Sequence, residues 1–379
     1  MIAASPSLRG SISDRVSYDL SIGGRPLYNE AACPFFIYAP CKKARPRMTR
    51  FAPISALGVC AFALAACASA DERPAKVIEQ VERPAPGTAR APAEESGWQL
   101  VWADEFGGTA IDRTKWDFDV DCWGGGNDER QCYTDRADNA RIEDGRLIIT
   151  ALKERFTGPA LPAHMRQAGD TKTATKPFTS ARMVTRGKAA WQYGRIEVRA
   201  KLPQGQGTWP AIWMMPEDNA YGSWAASGEI DILEAVNLGV PCTDCPGGRE
   251  NTILGTLHFG GNWPENALNS SEMHARDVLE GFHTFGVIWA PGVIEWTYDG
   301  QVFARKEAAS WWSVNSDDPF APFDKPFHLI LNLAIGGGLA EERGIGGVDE
   351  SGFPKTLEVD WVRVWQCLPT HSQEPNCKR

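Results

Sequence analysis

From residue 97 to residue 366 the chain runs in short apolar stretches, many of them alternating with polar residues, broken by Gly, Pro and Asp. Residues 195–202, Arg-Ile-Glu-Val-Arg-Ala-Lys-Leu, hold a period of two, which predicts a strand with one buried face. Residues 146–152 are more continuously apolar and follow Asp144-Gly145, so they predict a strand covered on both sides. Residues 292–298 and 301–304 meet across Asp299-Gly300, a two-residue turn whose twist suits a hairpin. Residues 327–335 and 357–364 read as further strands. Helical periodicity is scarce, with a turn or two expected within 272–281 and 307–313. Many strands, 37 Gly, 26 Pro and no repeat predict one all-β sandwich over residues 97–367.

The first 96 residues follow another pattern. Met48-Thr49-Arg50 is a short basic start, residues 51–66 form an apolar run, and Cys67 ends it. This order predicts an export signal. Leu64-Ala65-Ala66-Cys67 resembles a bacterial lipobox, which would make Cys67 a lipidated mature N-terminus; an ordinary cleavable signal peptide is the alternative. Residues 1–47 show no sustained period and fit an over-early start codon or an unusual leader. Residues 68–96 are rich in Ala, Pro and charge, the composition of a semi-extended tether, and residues 368–379 form a tail. The expected location is outside the cytoplasm: an outer-membrane or cell-surface lipoprotein, or a periplasmic or secreted protein.

Charge narrows the partners. Residues 1–67 hold 8 Lys/Arg and 3 Asp/Glu, leaving 31 against 45 in the rest, a balance of −14. So acidic a region disfavours nucleic acid and anionic membrane surfaces, and leaves a lipid at Cys67 as the membrane contact. We expect a monomer. All 15 Trp fall between Trp98 and Trp365, which excludes a disordered chain there. After Cys67 the cysteines form three sequence-local pairs: Cys122 with Cys132, Cys242 with Cys245, and Cys367 with Cys377. Loop-closing disulfides fit an exported protein. Cys242 and Cys245 are alternatively half of a zinc site or a redox pair, although no second ligand pair lies nearby.

The candidate chemistry lies in Glu229-Ile-Asp-Ile-Leu-Glu234. In a regular strand Glu229 and Asp231 share a face and Glu234 points the opposite way. Glu234 would then enter the core, where an unpaired carboxylate costs several kcal/mol. A β-bulge near Ile232 and Leu233 would bring all three to one face. The outer two Cα atoms would then stand roughly 13 Å apart, a gap two Glu side chains can narrow to the ~5 Å of a retaining glycosidase pair. Three like charges in one groove also push their pKa values apart.

This hexapeptide resembles the bulged active-site strand of glycoside hydrolase family 16, laminarinase-like. The resemblance extends through Trp102–Phe106, residues 205–213, residues 255–261 and residues 331–337. It implies a β-jelly-roll sandwich of two antiparallel sheets with a concave substrate cleft, and endo-acting, retaining hydrolysis of β-1,3-glucan. Mixed-linkage glucan, agarose or carrageenan are alternative substrates, and a non-catalytic glucan-binding module is the alternative from another class. The resemblance makes Glu229 the nucleophile, Glu234 the general acid/base and Asp231 the residue that tunes the pair. It also places Arg182, Asn139 and Glu129 at groove positions that bind sugar hydroxyls. Trp209 and Trp213 are four apart and share a strand face, so both are cleft candidates, with Trp224, Trp263 and His258 behind them; core packing is the competing role for each. The family needs no catalytic cofactor. A structural Ca²⁺ is expected on the convex side at Glu105, Gly145 and Asp360. One departure stands out: residues 122–132, Cys-Trp-Gly-Gly-Gly-Asn-Asp-Glu-Arg-Gln-Cys, carry a Cys pair and an Arg-Gln-Cys where laminarinases usually have Leu-Gln-Tyr, at the far end of the cleft.

Overall fold

The computed structural model describes residues 94–95, 97–343 and 346–367. The targeting region with Cys67, most of the tether, and Cys377 lie outside the described residues. Two sheets face each other. The smaller has seven strands, in chain order β1 (Asp117–Asp119), β2 (Arg182–Val184), β3 (Thr208–Pro216), β4 (Glu229–Glu234), β5 (Thr252–Gly260), β6 (Asn266–His274) and β7 (Phe327–Ile335). Across the sheet they run β6-β5-β4-β3-β7-β2-β1, with every pairing antiparallel. The larger, eleven-stranded sheet includes Arg146–Pro159, Gly194–Lys201, Val293–Tyr298, Gln301–Glu307 and Lys355–Cys367. It is antiparallel except where Gln131–Tyr133 runs parallel to Thr173–Ser180. Among the described residues no helix is long and apolar enough to cross a membrane.

Side-chain alternation assembles the core. Along Gly194–Lys201, Ile196, Val198 and Ala200 are fully buried between the sheets, while Arg195, Glu197 and Arg199 are only partly covered. In β7 all nine residues are buried. Leu329, Leu331 and Leu333 enter the core, together with Ile212 and Met214 of β3. The other face of β7 carries Ile330, Asn332 and Ala334, paired with Trp213, Ala211 and Trp209 of β3. That face is the open one. The hairpin predicted at Asp299-Gly300 is present, with Tyr298 opposite Gln301.

One expectation needs revision in part, one holds, and one element was not foreseen. Residues 272–274 are strand, because β6 pairs with β5 along its whole length and cross-strand bonding overrides the weak helical pattern. Within 307–313 there is one 3₁₀ turn, Ala308–Ser310. A five-residue helix, Gly338–Glu342, was not anticipated; it follows Gly336 and Gly337, both at positive φ. The Cys122–Cys132 and Cys242–Cys245 disulfides are formed, which rules out a zinc site at the second pair, and Cys367 is disulfide-bonded too.

Candidate active site

Strand β4 lies between β3 and β5 in the middle of the seven-stranded sheet. Against β5, Glu229 pairs with His258, Asp231 with Thr256 and Glu234 with Leu254. Three steps on β4 therefore match two on β5. Against β3, Asp231 pairs with Trp213 and Leu233 with Ile212, so the extra residue is Ile232. Ile230, Ile232 and Leu233 go to the core. The bulge thus places Glu229, Asp231 and Glu234 on the open face, beside Trp209 and Trp213.

A chain of contacts from the other sheet supports the bulge. The Trp296 indole Nε1 donates to the Asp231 carbonyl at 2.7 Å, satisfying a backbone oxygen where the ladder is irregular. The room for this indole comes from Gly255, where a Cβ would stand 2.3 Å from the Trp296 ring. Neither residue stands out in the sequence, because their roles depend on how the two sheets stack.

The carboxylates sit in different surroundings. Trp209 Nε1 donates to Glu234 Oε1 at 3.0 Å, and Trp224 Nε1 donates to Glu229 Oε2. Burial first, then the charge of Glu229, pushes the Glu234 carboxyl up to about 7. Burial and the charges of Glu229 and Glu234 likewise raise Asp231 well above the usual carboxylate range. His258 Nε2 lies 3.2 Å from Asp231 Oδ2. Burial alone would lower this imidazole, but Asp231 beside it and the two glutamates drive it up to about 10. One imidazolium therefore faces three acids. Donor atoms of Glu229, Asp231 and His258 lie within 4.8 Å of one another, near enough to hold a cation; the charged imidazole already fills that electrostatic place.

Beside the acids runs a polar network. Trp213 Nε1 donates to Asn332 Oδ1 at 2.6 Å, and Asn332 Nδ2 donates to the Tyr133 hydroxyl at 3.1 Å. Tyr133 in turn donates to Glu129 Oε2 at 3.1 Å. The Arg182 guanidinium lies over Tyr133 at 4.5 Å and over Trp213 at 5.4 Å, and stands 3.9 Å from Glu129. Sequence reasoning missed Asn332 and Tyr133, although Asn332 is the one polar side chain amid the apolar stretch 329–335.

The remaining site residues fall in different places. Trp263 is 72% exposed, and its backbone N–H donates to the Trp224 carbonyl. Asn139 is a correction: it is fully buried, with Nδ2 donating to Thr150 and Thr179 and Oδ1 accepting from Thr134 and Arg136. Its amide is spent on joining chain segments and does not reach the groove. Glu105 is clasped by Arg363 at 2.8 Å to each oxygen, and Asp360 Oδ2 accepts from Arg199. A hollow of about 350 Å³ beside Asp104, Phe106 and Lys115 touches none of the three acids.

An open sheet face carrying acids and indoles, backed by a second sheet, defines a carbohydrate-active hydrolase of the sandwich type. Residues 134–363 match the model of glycosyl hydrolases family 16. A glucan endo-1,3-beta-glucosidase of Cryptopygus antarcticus is 42% identical over 275 residues, 71% of this chain and 92% of the relative. Glucan endo-1,3-beta-glucosidase A1 of Niallia circulans is 37% identical over 74% of this chain, which spans 39% of that protein's length. The laminarinase structure from Rhodothermus marinus superposes with a TM-score of 0.58 at 38% identity, covering 72% of this chain and 98% of that one. The chain belongs to glycosyl hydrolase family 16: it is a glycoside hydrolase of jelly-roll fold, and the family's hydrolysis needs no catalytic cofactor.

Proposed function

We propose that the protein is an endo-acting, retaining β-1,3-glucanase. The observation that carries this reading is the bulge-aligned trio, with Glu234 raised to about 7 and half-buried beside Glu229. Glu229, oriented by Trp224, attacks the anomeric carbon while the glycosidic C–O bond breaks. Glu234 gives its proton to the departing oxygen. Water, deprotonated by the same Glu234, then attacks that carbon and releases Glu229. Asp231 and the charged His258 set the field between the two glutamates. Trp209, Trp213, Trp224 and Trp263 offer apolar faces to sugar rings, and Arg182 and Glu129 offer charged groups to hydroxyls. The β-1,3-glucan preference rests on the names of the relatives. Release of reducing ends from laminarin, with lichenan and agarose in parallel, tests it: laminarin should be cleaved fastest, and binding without release from any of them would overturn the hydrolase reading for this chain.

Export of a monomer, with Cys67 lipidated, belongs to the same proposal. The disulfides at Cys122–Cys132 and Cys242–Cys245 support an oxidising compartment, and the mass of the mature N-terminus decides on the lipid. A structural Ca²⁺ also stays a proposal. Its support is Asp360 Oδ1, buried without a hydrogen-bond partner. Glu105, its carboxylate taken by Arg363, would contribute only its backbone carbonyl, as would Gly145.

A further inference from the structure

Outside the open face, an imidazole and two carboxylates converge where the chain leaves β6 for the larger sheet. Residues 275–282 make this passage. A turn within it, closed by the Glu280 N–H donating to the Asp277 carbonyl at 2.8 Å, presents Asp277. The chain then enters the strand His283–Ala290, whose hairpin partner Val293–Tyr298 runs into Asp299. One ligand atom each from Asp277, His283 and Asp299 lies within 4.8 Å of the other two, and both aspartates are exposed. None of the three belongs to the seven-stranded sheet that carries the acids of β4.

Each of the three is held by another of its atoms. Asp299 Oδ1 accepts from the Thr284 N–H at 2.8 Å, and Asp277 Oδ1 accepts from the Tyr298 hydroxyl at 2.8 Å. His283 is 9% exposed and its ring stacks on Tyr298 at 5.0 Å. Its Nε2 lies 2.9 Å from the Asp277 carbonyl, and its Nδ1 lies 2.8 Å from Asp299 Oδ2. Both ring nitrogens therefore face oxygens that only accept, whereas a neutral imidazole has one N–H. With that proton on Nε2 for the carbonyl, the Nδ1 lone pair is aimed at a carboxylate with no donor between them. A buried ring keeps such a contact only around a positive centre. A shared proton would use Asp299 alone; the Asp277 carboxylate adds a third ligand that only a metal ion uses. A histidine whose far nitrogen donates to a backbone carbonyl, beside carboxylates that are hydrogen-bonded in turn, has the support that metal ligands require.

We propose that Asp277, His283 and Asp299 form a site for a divalent transition ion of the Zn²⁺ class, bound through His283 Nδ1 and one oxygen of each aspartate, with water completing the shell. One nitrogen and two oxygens suit Zn²⁺, whereas Mg²⁺ and Ca²⁺ take oxygen ligands. The ion ties the passage out of β6 to the hairpin of the larger sheet, so it acts on stability, and no step of hydrolysis runs through it. The proposal stands apart from the glucanase reading. The test is titration of the disulfide-bonded protein with Zn²⁺ against a chromophoric chelator, without reductant or histidine tag, with the melting temperature read in parallel. The wild type should bind one ion at this site, and at about a hundred times the dissociation constant it should melt roughly 4 °C higher or more. Asp277→Asn and Asp299→Asn keep an oxygen for Tyr298 and for Thr284 and lie at exposed positions, and each should weaken binding about tenfold or more. Asp231→Asn should bind Zn²⁺ as the wild type does. No binding by the wild type, equal binding by the wild type and both of these aspartate variants, or loss with Asp231→Asn in their place would overturn the proposal.

Discussion

Glu234 is where folding and chemistry pull in opposite directions. Its carboxyl titrates near 7 when folded against 4.5 in a free chain, so the folded state binds this proton more tightly. The sign follows: stability is lost as pH rises from about 4.5 through 7, because folding then buries an ionised group. Glu234→Gln, which cannot ionise, should raise the melting temperature by roughly 3 °C or more at about pH 8 and by little at about pH 5. The same titration should make wild-type hydrolysis fall as pH rises through 7, since bond cleavage needs the acid form. For the reaction's course, proton NMR of a glucan digest should show the β-anomer first. Glu234→Ala, given a substrate with a good leaving group, should turn over faster with added azide, yielding a β-glycosyl azide; an α-anomer from the wild type would sink the double displacement. The acids were legible because three carboxylates in a strand-like run break parity. Asn139 was misplaced because a resemblance supplies a position, whereas only the hydrogen bonds of Thr134, Thr150 and Thr179 show that the amide is already spent.

At the scale of the element, strands were readable wherever one face is apolar, as in Gly194–Lys201, and where Asp-Gly sets a turn, as at Asp299-Gly300. The short helix Gly338–Glu342 was not, since five residues are too few to show a period and packing on Trp209 rather than propensity holds them. The bulge was inferred from parity, but its support was invisible: Trp296 comes from the opposite sheet and Gly255 matters only because that indole passes over it. Gly255→Ala should therefore destabilise the protein by about 1–3 kcal/mol in urea unfolding and lower the rate beyond what stability explains, by moving Asp231. An unaltered rate and midpoint would mean that the indole yields freely.

For the whole molecule, the sandwich class followed from composition and period, whereas the assignment of strands to two sheets did not. Neighbours such as β3 and β7 lie more than a hundred residues apart, and no local signal carries such pairings. Asp360 belongs to this scale too, because it lies in the Lys355–Cys367 strand, which bonds to Trp98–Asp104, Arg146–Pro159 and Gly194–Lys201. A cation there would tie several strands of the larger sheet together. Chelation with EGTA should lower the melting temperature of the wild type and leave Asp360→Asn unmoved; equal behaviour of the two would remove the proposed calcium.

The extra residue in β4 also constrains how this chain can change in length. Substitution of Ile232 by another apolar residue leaves the strand's phase alone. Removing it would leave a regular strand in which Glu229, Asp231 and Glu234 still share the open face, but both β3 and β5 have their pairing set around it. A deletion would have to be accepted by two neighbouring ladders in the same event. Point changes can therefore explore the lining of this cleft widely, while in length the stretch between Asp231 and Glu234 has one permitted step: losing the single bulged residue keeps the acids in phase, and losing two would send the last one into the core.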